Sequence, residues 1–507
     1  MQILNSLVNT FSKSRLATIE NFMNKPHEVQ DKVFQGLIDK AKDTEWGRMY
    51  NYGNIKSIET FDARVPISVY DGLRAMFEKQ MRGEPNIMWP GRIRWFAKSS
   101  GTTANKSKFI PISTDSLEHC HYRGGKDVII MHLCNYPKSR ILEGKSLTLG
   151  GSHSIDPIHG FAHAGDLSAI LIRNMPWWTN FRRTPSANVS LIKDFERKIE
   201  HIAESSISKT VTSMFGVPSW YLVLLNKILE VSGKNNIAEL WPKMQVFVHG
   251  GIKFDPYREQ YKKIIPIDDM VYMETYNASE GFFGIQDQKN SSEMLLMLDY
   301  GVFYEFIEMS KFYDEHPSVI PLSQVKEGVN YAMLISTNGG LWRYIIGDTV
   351  SFTSTSPYRF KITGRTKYYI NAFGEEVMHD NAEQALLKAC KATSSEINEY
   401  TVGPVFMEGS EKGQHEWIIE FAQSPDSIDE FVDILDKALQ EVNSDYEAKR
   451  FNDATLKKLK IRVVDKGTFM NWMKSRGKLG GQNKVPRLSN DRSILDSIYL
   501  FVDNKQG

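Results

Sequence analysis

Several things are scarce in this chain of 507 residues, and each scarcity excludes a class of protein. Cysteine occurs three times, at Cys120, Cys134 and Cys390, with no C-x-x-C pair. An odd, scattered set argues against a disulfide framework and a cysteine zinc site, and predicts a reducing, cytoplasmic setting. Charge of one sign is not in excess: 62 Lys+Arg against 61 Asp+Glu leave +1, too weak a field to hold nucleic acid or an anionic membrane surface. Long apolar runs are missing too. The uncharged stretch between Lys209 and Lys227 is broken by Pro218, Ser219 and Asn226, is shorter than the roughly 20 apolar residues of a spanning helix, and predicts a buried helix. The N-terminal segment carries polar residues throughout, without the apolar core of a secretory signal. G-x-S-x-G and H-E-x-x-H do not occur, so serine hydrolases and zinc proteases lack their usual markers.

With 41% hydrophobic and 24% charged residues, the composition is that of a folded globular protein, and the length allows about three domain-equivalents. The first ~90 residues carry apolar positions at helical spacing. Beyond them, short β-rich runs at 94–98, 145–149, 245–249, 270–274, 332–336 and 350–353 are separated by helical segments such as 115–133 and 190–204. The first of these helices opens with Asp115 and Glu118 in capping-box spacing. Strands interspersed with helices predict an α/β fold, with a large domain over 1–365. After residue 365 the order becomes strand (417–421), long helix (427–450), strand (460–464), short helix (468–474), which predicts a separate α+β domain over 366–507. Its loop Lys478-Leu-Gly-Gly-Gln-Asn-Lys-Val-Pro-Arg487 is too glycine-rich and polar for a core element.

The most informative stretch is Ser99-Ser-Gly-Thr-Thr-Ala-Asn-Lys-Ser-Lys108, which directly follows a strand signal. Unhindered backbone N–H groups and small hydroxyls wrap anionic oxygens, and a lysine supplies the opposing charge, so the pattern suits phosphate. A Ser/Thr-rich surface turn has the same composition. The glycines of G-x-x-x-x-G-K-S/T are absent, which disfavours a nucleoside triphosphatase of that kind. A second cluster, His153, Asp156, His159 and His163, has metal-ligand residue types, but Pro157 and Gly160 break the helix that i, i+4 ligands need, and a structural or pocket role is the better reading.

The Ser99–Lys108 stretch resembles the phosphate loop of the adenylate-forming superfamily of acyl-CoA synthetases, peptide-synthetase adenylation domains and firefly luciferase. It is most similar to the acyl acid amido synthetase, or auxin-responsive promoter, branch, whose loop reads Ser-Ser-Gly-Thr-Ser-Ala-Gly-x-x-Lys. Ser99, Ser100, Gly101, Thr102, Ala104 and Lys108 match, Thr103 is a conservative change, and Asn105 replaces a glycine while tolerating positive φ. Downstream, Thr275-Tyr-Asn-Ala-Ser-Glu-Gly281 is similar to the branch's Tyr-x-x-Ser-Glu signature. Val248-His-Gly-Gly-Ile252 resembles its strand-end glycine pair, and Trp342-Arg-Tyr-Ile-Ile-Gly-Asp348 its Tyr-Arg-x-Gly-Asp segment, with Ile345 where the family has Arg. Gly364-Arg365 resembles the Gly-Arg pair ahead of the hinge, near Lys367, and Gln482-Asn-Lys-Val-Pro-Arg487 the loop that delivers the adenylation lysine. The motifs stand in the family's order across about residues 95 to 490.

The resemblance implies an ATP- and Mg2+-dependent ligase that adenylates a small carboxylic acid and passes the acyl group to an amine, with an amino acid the expected acceptor. It implies that Ser99, Ser100, Gly101, Thr102, Thr103 and Lys108 hold phosphates, that Gly250 and Gly251 let adenine approach the backbone, and that Tyr276 stacks on it. Ser279 then meets phosphate, Glu280 helps hold Mg2+, Asp348 binds the ribose hydroxyls, Arg365 sits ahead of the pivot, and Lys484 serves adenylation. Arg123 and Lys126, on the helix after the phosphate loop, are candidates for the acyl carboxylate, against the plainer reading of an exposed helix face. An acyl-CoA ligase is the nearest enzymatic alternative, and a non-catalytic ATP-binding scaffold the alternative of another class.

Overall fold

The computed structural model describes residues 2–99, 108–149, 155–192, 195–251, 254–366, 369–370, 372, 375, 377–406, 413–443, 446–447, 450, 456–478, 484–489 and 491–506. These residues form two compact units. One comprises residues up to Val217, Trp241–Gly251 and Asp268–Ile362; the other comprises Pro218–Leu240, Ile252–Ile267 and Thr363 onward.

The first unit is built on a twelve-stranded sheet. In chain order its strands are β3 (Lys145–Thr148), β6 (Arg183–Thr184), β7 (Val211–Gly216), β8 (Val246–Gly250), β9 (Val271–Ala278), β10 (Gly281–Ile285), β11 (Met294–Leu296), β12 (Val302–Glu308), β13 (Val319–Pro321), β14 (Asn330–Thr337), β15 (Tyr344–Thr355) and β16 (Tyr358–Arg365). In space they run β13-β12-β14-β15-β16-β11-β10-β9-β8-β7-β3-β6. The β6-β3-β7-β8-β9 half is parallel, whereas β9-β10-β11-β16 and β15-β14-β12-β13 pair antiparallel. Parallel strands need crossover segments, and the helix Phe195–Ile207 precedes β7 for that reason. A smaller sheet, β2-β1-β5-β4, contains β1 (Trp95–Ser99), β2 (Lys108–Ile112), β4 (Asp156–His159) and β5 (Ala162–Gly165).

The predicted helical N-terminus consists of Gln2–Asn24, Pro26–Ala41, Glu45–Met49, Ile58–Arg64 and Tyr70–Met81. Its aromatic faces cover the antiparallel half of the sheet, with Phe34 packed 5.0 Å from Phe303 and Tyr52 4.9 Å from Trp342. Gln30 is buried there without penalty, because its amide donates to the carbonyls of Leu298 (2.9 Å) and Val302 (3.0 Å) and accepts from the Tyr304 amide (3.0 Å). Arg15 ties the first helix to the rest. Its Nε and Nη2 clasp Asp127 at 2.9 and 2.7 Å, its guanidinium also pairs with Asp299, and Tyr300 donates its hydroxyl to Asp127 at 2.6 Å.

The second unit contains a three-stranded sheet of β19 (Glu396–Val405), β20 (Gly413–Gln423) and β21 (Leu456–Val464), and a small ribbon of β17 (Tyr369–Ile370) with β18 (Val377–Met378). Helices His379–Ala392 and Ile428–Val442 bury Leu386, Phe431, Leu435 and Leu439 in one core with Trp417 and Tyr400.

Three expectations are corrected. The helix after β2 is capped by Ser113, whose hydroxyl accepts the Ser116 amide at 2.9 Å, not by Asp115 and Glu118. Asp115 instead takes hydrogen bonds from Lys40 (2.9 Å) and from the Trp89 indole (3.0 Å). The uncharged stretch is β7 followed by the helix Pro218–Ser232, because Val211–Gly216 is β-branched at its start and Pro218 then opens a helix at its first position. The small domain's strand 417–421 is the middle of the sheet rather than its first strand. β19 precedes it, with polar and apolar residues too mixed to read as one run. The helix Ser493–Gln506 was not foreseen either.

Replacing Arg15 by Met leaves Asp127 buried and Asp299 half-buried without their cation. A loss of about 3 kcal/mol is expected, as for breaking a buried pair from one side. Urea unfolding of the purified variant measures it; an unchanged midpoint would show that the first helix is not held through this contact.

Candidate active site

The parallel half of the sheet ends its strands on one edge, where open α/β sheets bind ligands. β8 reaches that edge as His249, Gly250 and Gly251. Gly250 pairs with Thr275 of β9, and a Cβ on Gly250 would stand 2.4 Å from the Thr275 carbonyl oxygen, so only glycine permits this approach. Gly251 has φ +82°, the left-handed region that favours glycine. Two residues of the glycine pair are therefore required by the backbone itself.

β9 continues into Tyr276, Asn277 and Ala278, and a two-residue turn of Ser279 and Glu280 leads into β10, with Ala278 opposite Gly281. Tyr276 is buried and packs edge-on to Phe283 at 4.9 Å. Its hydroxyl donates to the Oδ2 of Asp348, a residue 72 positions further on in β15. Ser279 is buried and Glu280 half-buried in the turn. The structure thus brings Gly250, Gly251, Tyr276, Ser279, Glu280 and Asp348 together on three neighbouring segments of one unit.

Other predicted residues are placed as follows. Ser99 and Lys108 are a register pair at the ends of β1 and β2, which pair antiparallel. Lys108 is half-buried, with its ammonium 5.9 Å over the Tyr70 ring. Ser100, Gly101, Thr102 and Thr103 lie outside the described residues, as does Lys367; His153 of the histidine cluster does too. Arg365 is half-buried at the end of β16, and Lys484 is exposed; both belong to the second unit. Arg123 donates to the Asp299 backbone carbonyl at 3.0 Å and lies 3.5 Å from that residue's carboxylate, whereas Lys126 is exposed on the same helix, Tyr122–Asn135. Arg343, inside the Trp342–Asp348 motif, is a clamp of the fold: it is buried with φ +43°, pairs with Glu305 at 3.2 Å, and donates to the carbonyls of Val65 (2.8 Å) and Asp62 (3.0 Å). Burial pushes the Glu305 carboxyl up to about 7 despite this cation. Ile345, where the resembled family has Arg, packs with Ile307, Ala332 and Leu334.

One participant was missed in the sequence. A π-helical turn, Leu117–His121, precedes the helix Tyr122–Asn135 and swings His121 against β9, where its Nδ1 lies 3.1 Å from the Asn277 Oδ1. His121 is buried, and burial pulls its pKa down to about 4, so the ring is neutral at pH 7. Leu117, His121, Gly124 and Val128 are the buried residues at helical spacing that carried the signal. Cys120 locks the same contact by accepting the Phe282 amide at 3.1 Å, and Gly124 lets the Phe282 ring come within 2.5 Å of where a Cβ would stand.

The donor set fits ATP with a hard cation. A hydroxyl-bearing aromatic, a strand end without Cβ atoms and an aspartate at hydrogen-bonding distance suit a nucleoside. Among the described residues no three His, Cys, Asp or Glu side chains converge on a metal site. The Glu280 carboxylate suits Mg2+, which takes one or two carboxylates and relies on phosphates and water for the rest. No described helix is long and apolar enough to cross a membrane.

Known proteins share this architecture. The GH3 family N-terminal domain matches residues 15–270, the GH3 family central domain 295–365 and the GH3 family C-terminal domain 380–493. Indole-3-acetic acid-amido synthetase GH3.15 of Arabidopsis thaliana is 23% identical over 97% of this chain and 95% of its own length. The 4-substituted benzoates-glutamate ligase GH3.12 of the same plant is 21% identical, with 97% of each chain covered. Among solved structures, GH3.15 acyl acid amido synthetase superposes with a TM-score of 0.79 at 18% identity over 96% of both chains. A 2-hydroxyisobutyryl-CoA ligase reaches 0.55 at 13% identity, covering 94% of this chain and 91% of its own.

His121 and His132 are both held neutral by burial, with pKa values lowered to about 4 from an ordinary 6.5. The unfolded chain then binds more protons between those values, so stability is full above pH 6.5 and falls as pH drops towards 4, by up to about 3 kcal/mol per histidine. Thermal unfolding between pH 7.5 and 5 should show this decline, and His121→Asn should flatten it; an identical slope in the variant would show that His121 does not titrate this way.

Proposed function

Because the chain belongs to the GH3 family, we propose that it is an ATP-dependent ligase that activates a carboxylic acid as its acyl-adenylate and conjugates it to an amine, an amino acid by analogy with the glutamate ligase among its relatives. The observation that carries this reading is the hydrogen bond from Tyr276 to Asp348, since it joins an aromatic face for adenine to a carboxylate for the ribose hydroxyls across two motifs far apart in sequence.

In the first half-reaction a carboxylate oxygen of the acid attacks the α-phosphorus and the bond to pyrophosphate breaks. Carboxylates are poor electrophiles, and the mixed anhydride gives the acyl carbon a good leaving group. Ser279 and the segment from Ser99 through Ser100, Gly101, Thr102 and Thr103 to Lys108 hold phosphate oxygens, Gly250 and Gly251 present bare backbone to the base, and Lys484 neutralises charge at the α-phosphate. Glu280 supplies the carboxylate for Mg2+, which when bound neutralises the triphosphate and favours departure of pyrophosphate. In the second half-reaction the amine nitrogen attacks the acyl carbon, the bond to AMP breaks, and the amine proton passes to solvent. Positioning and charge neutralisation dominate both steps. Arg123 and Lys126 are assigned to the acyl carboxylate, Arg123 having to part from Asp299 to serve it. The division into domains at 365/366, with Arg365 beside a pivot at Lys367, and a cytoplasmic setting for the three unpaired cysteines belong to the same proposal.

Incubation with ATP and a pool of carboxylic acids and amino acids is expected to yield AMP and pyrophosphate, and ADP with phosphate would sink the ligase reading. Glu280→Gln, a change in a half-buried turn, should leave the unfolding free energy within about 0.5 kcal/mol of the parent while removing most pyrophosphate exchange. Full exchange in that variant would move the cation elsewhere.

A further inference from the structure

Lys484 stands at the start of a segment that the second unit holds through one buried guanidinium. Residues 485–489 lie beside β19. The Val402 amide donates to the Arg487 carbonyl at 2.8 Å, the Ser489 amide to the Val402 carbonyl at 3.0 Å, and the Thr401 hydroxyl to the Pro486 carbonyl at 2.6 Å. Val402 and Leu488 form an isolated parallel bridge, and Val485 and Leu488 are buried. So short a pairing specifies its register weakly by itself.

The Arg487 side chain supplies what the backbone does not. Its Nη1 pairs with Glu399, its Nη2 donates to the Tyr257 hydroxyl at 3.1 Å, and its guanidinium lies 4.5 Å over the Tyr400 ring. Tyr400 in turn donates its hydroxyl to Glu383 at 2.7 Å. Glu399 and Tyr400 come from β19, Glu383 from the helix His379–Ala392, and Tyr257 from the turn before the helix Arg258–Ile264. A planar fork that bonds a carboxylate and a phenol while stacking on a ring has one position in such a nest, and lysine cannot reproduce it. The arginine therefore fixes where the segment sits along β19.

We propose that Arg487 is the positioning residue for Lys484: by locking the register of residues 485–489 it holds the lysine where adenylation requires it. The inference rests on the reading above that Lys484 acts in adenylation. A slip of one residue would carry the lysine about 3.3 Å along the strand and turn it to the opposite face. A misplacement of about 1 Å is enough to cost a hundredfold in rate.

The test uses the full chain and separates the half-reactions. Adenylation is followed as exchange of labelled pyrophosphate into ATP with a pool of aliphatic, aryl and indolyl carboxylic acids, and then with the acid giving the most exchange. Aminolysis is followed from that acid's synthetic acyl-adenylate and a pool of L-amino acids. Arg487→Met is expected to lower the kcat of adenylation by about 30- to 100-fold with the KM for ATP within about twofold, to leave aminolysis within about twofold, and to be partly rescued in Arg487→Lys. In a Lys484→Ala background the same change should cost less than about twofold, because there is no longer a lysine to position. Arg450→Met, which breaks the buried Asp436 pair of the same unit, reports what destabilisation alone does to both steps. Should Arg487→Met fold poorly, Glu399→Gln probes the same anchor and should show the same selective loss, smaller in size. Equal losses in both half-reactions, or full additivity with Lys484→Ala, would overturn the proposal. Lys484→Ala with normal adenylation would remove its premise and overturn it as well, and exchange absent from the parent protein would instead count against the ligase reading.

Discussion

The register of β9 between β8 and β10 is the constraint from which the candidate site follows. With Gly250 opposite Thr275 and Ala278 opposite Gly281, Tyr276 faces the core, Asn277 faces out, and Ser279 with Glu280 occupies the turn. Because side chains alternate along a strand, a shift of one residue would exchange Tyr276 for Asn277 and dismantle the contact with Asp348. The shift is opposed from three sides: by the close approach that only Gly250 allows, by Cys120 and Gly124 against Phe282, and by His121 against Asn277.

That strand also lies at the boundary between the two halves of the sheet. On one side the strands run parallel and end on one edge; on the other, antiparallel strands bury nearly every residue, as in β12, beneath the aromatic N-terminal helices. Arg343 shows how the two are coupled, since Asp348, five positions after it in the same motif, meets Tyr276, while its own guanidinium clamps Glu305, Asp62 and Val65. A motif read as a nucleotide contact is thus half a structural clamp.

Buried ions recur in the same role across both units: Arg15 with Asp127 and Asp299, Arg343 with Glu305, Arg450 with Asp436 and Arg487 with Glu399. All but the Arg450 pair join segments distant in sequence. Such pairs offset their own desolvation cost rather than adding much stability, so their value is in fixing geometry, and their loss from one side is costly. This is why an arginine three residues from Lys484 matters more for where that lysine lies than for whether the unit folds.

The sequence by itself determined the chemistry-bearing motifs and their order, the helical N-terminus, a minority of the strands and the α/β class, because these depend on local composition, spacing and period. Glycine at 250 and 251 was legible for the same reason. The tertiary structure alone decided which motifs meet: that the Tyr276 hydroxyl reaches Asp348, that Arg123 is engaged by Asp299, and that a π-turn carries His121 to Asn277. It also decided that β19 comes before the strand expected to be first, and that Ser113 rather than Asp115 caps a helix. Each of these is settled by a partner tens or hundreds of residues away or by competition between nearby acceptors, and neither kind of information is present in a local window of sequence.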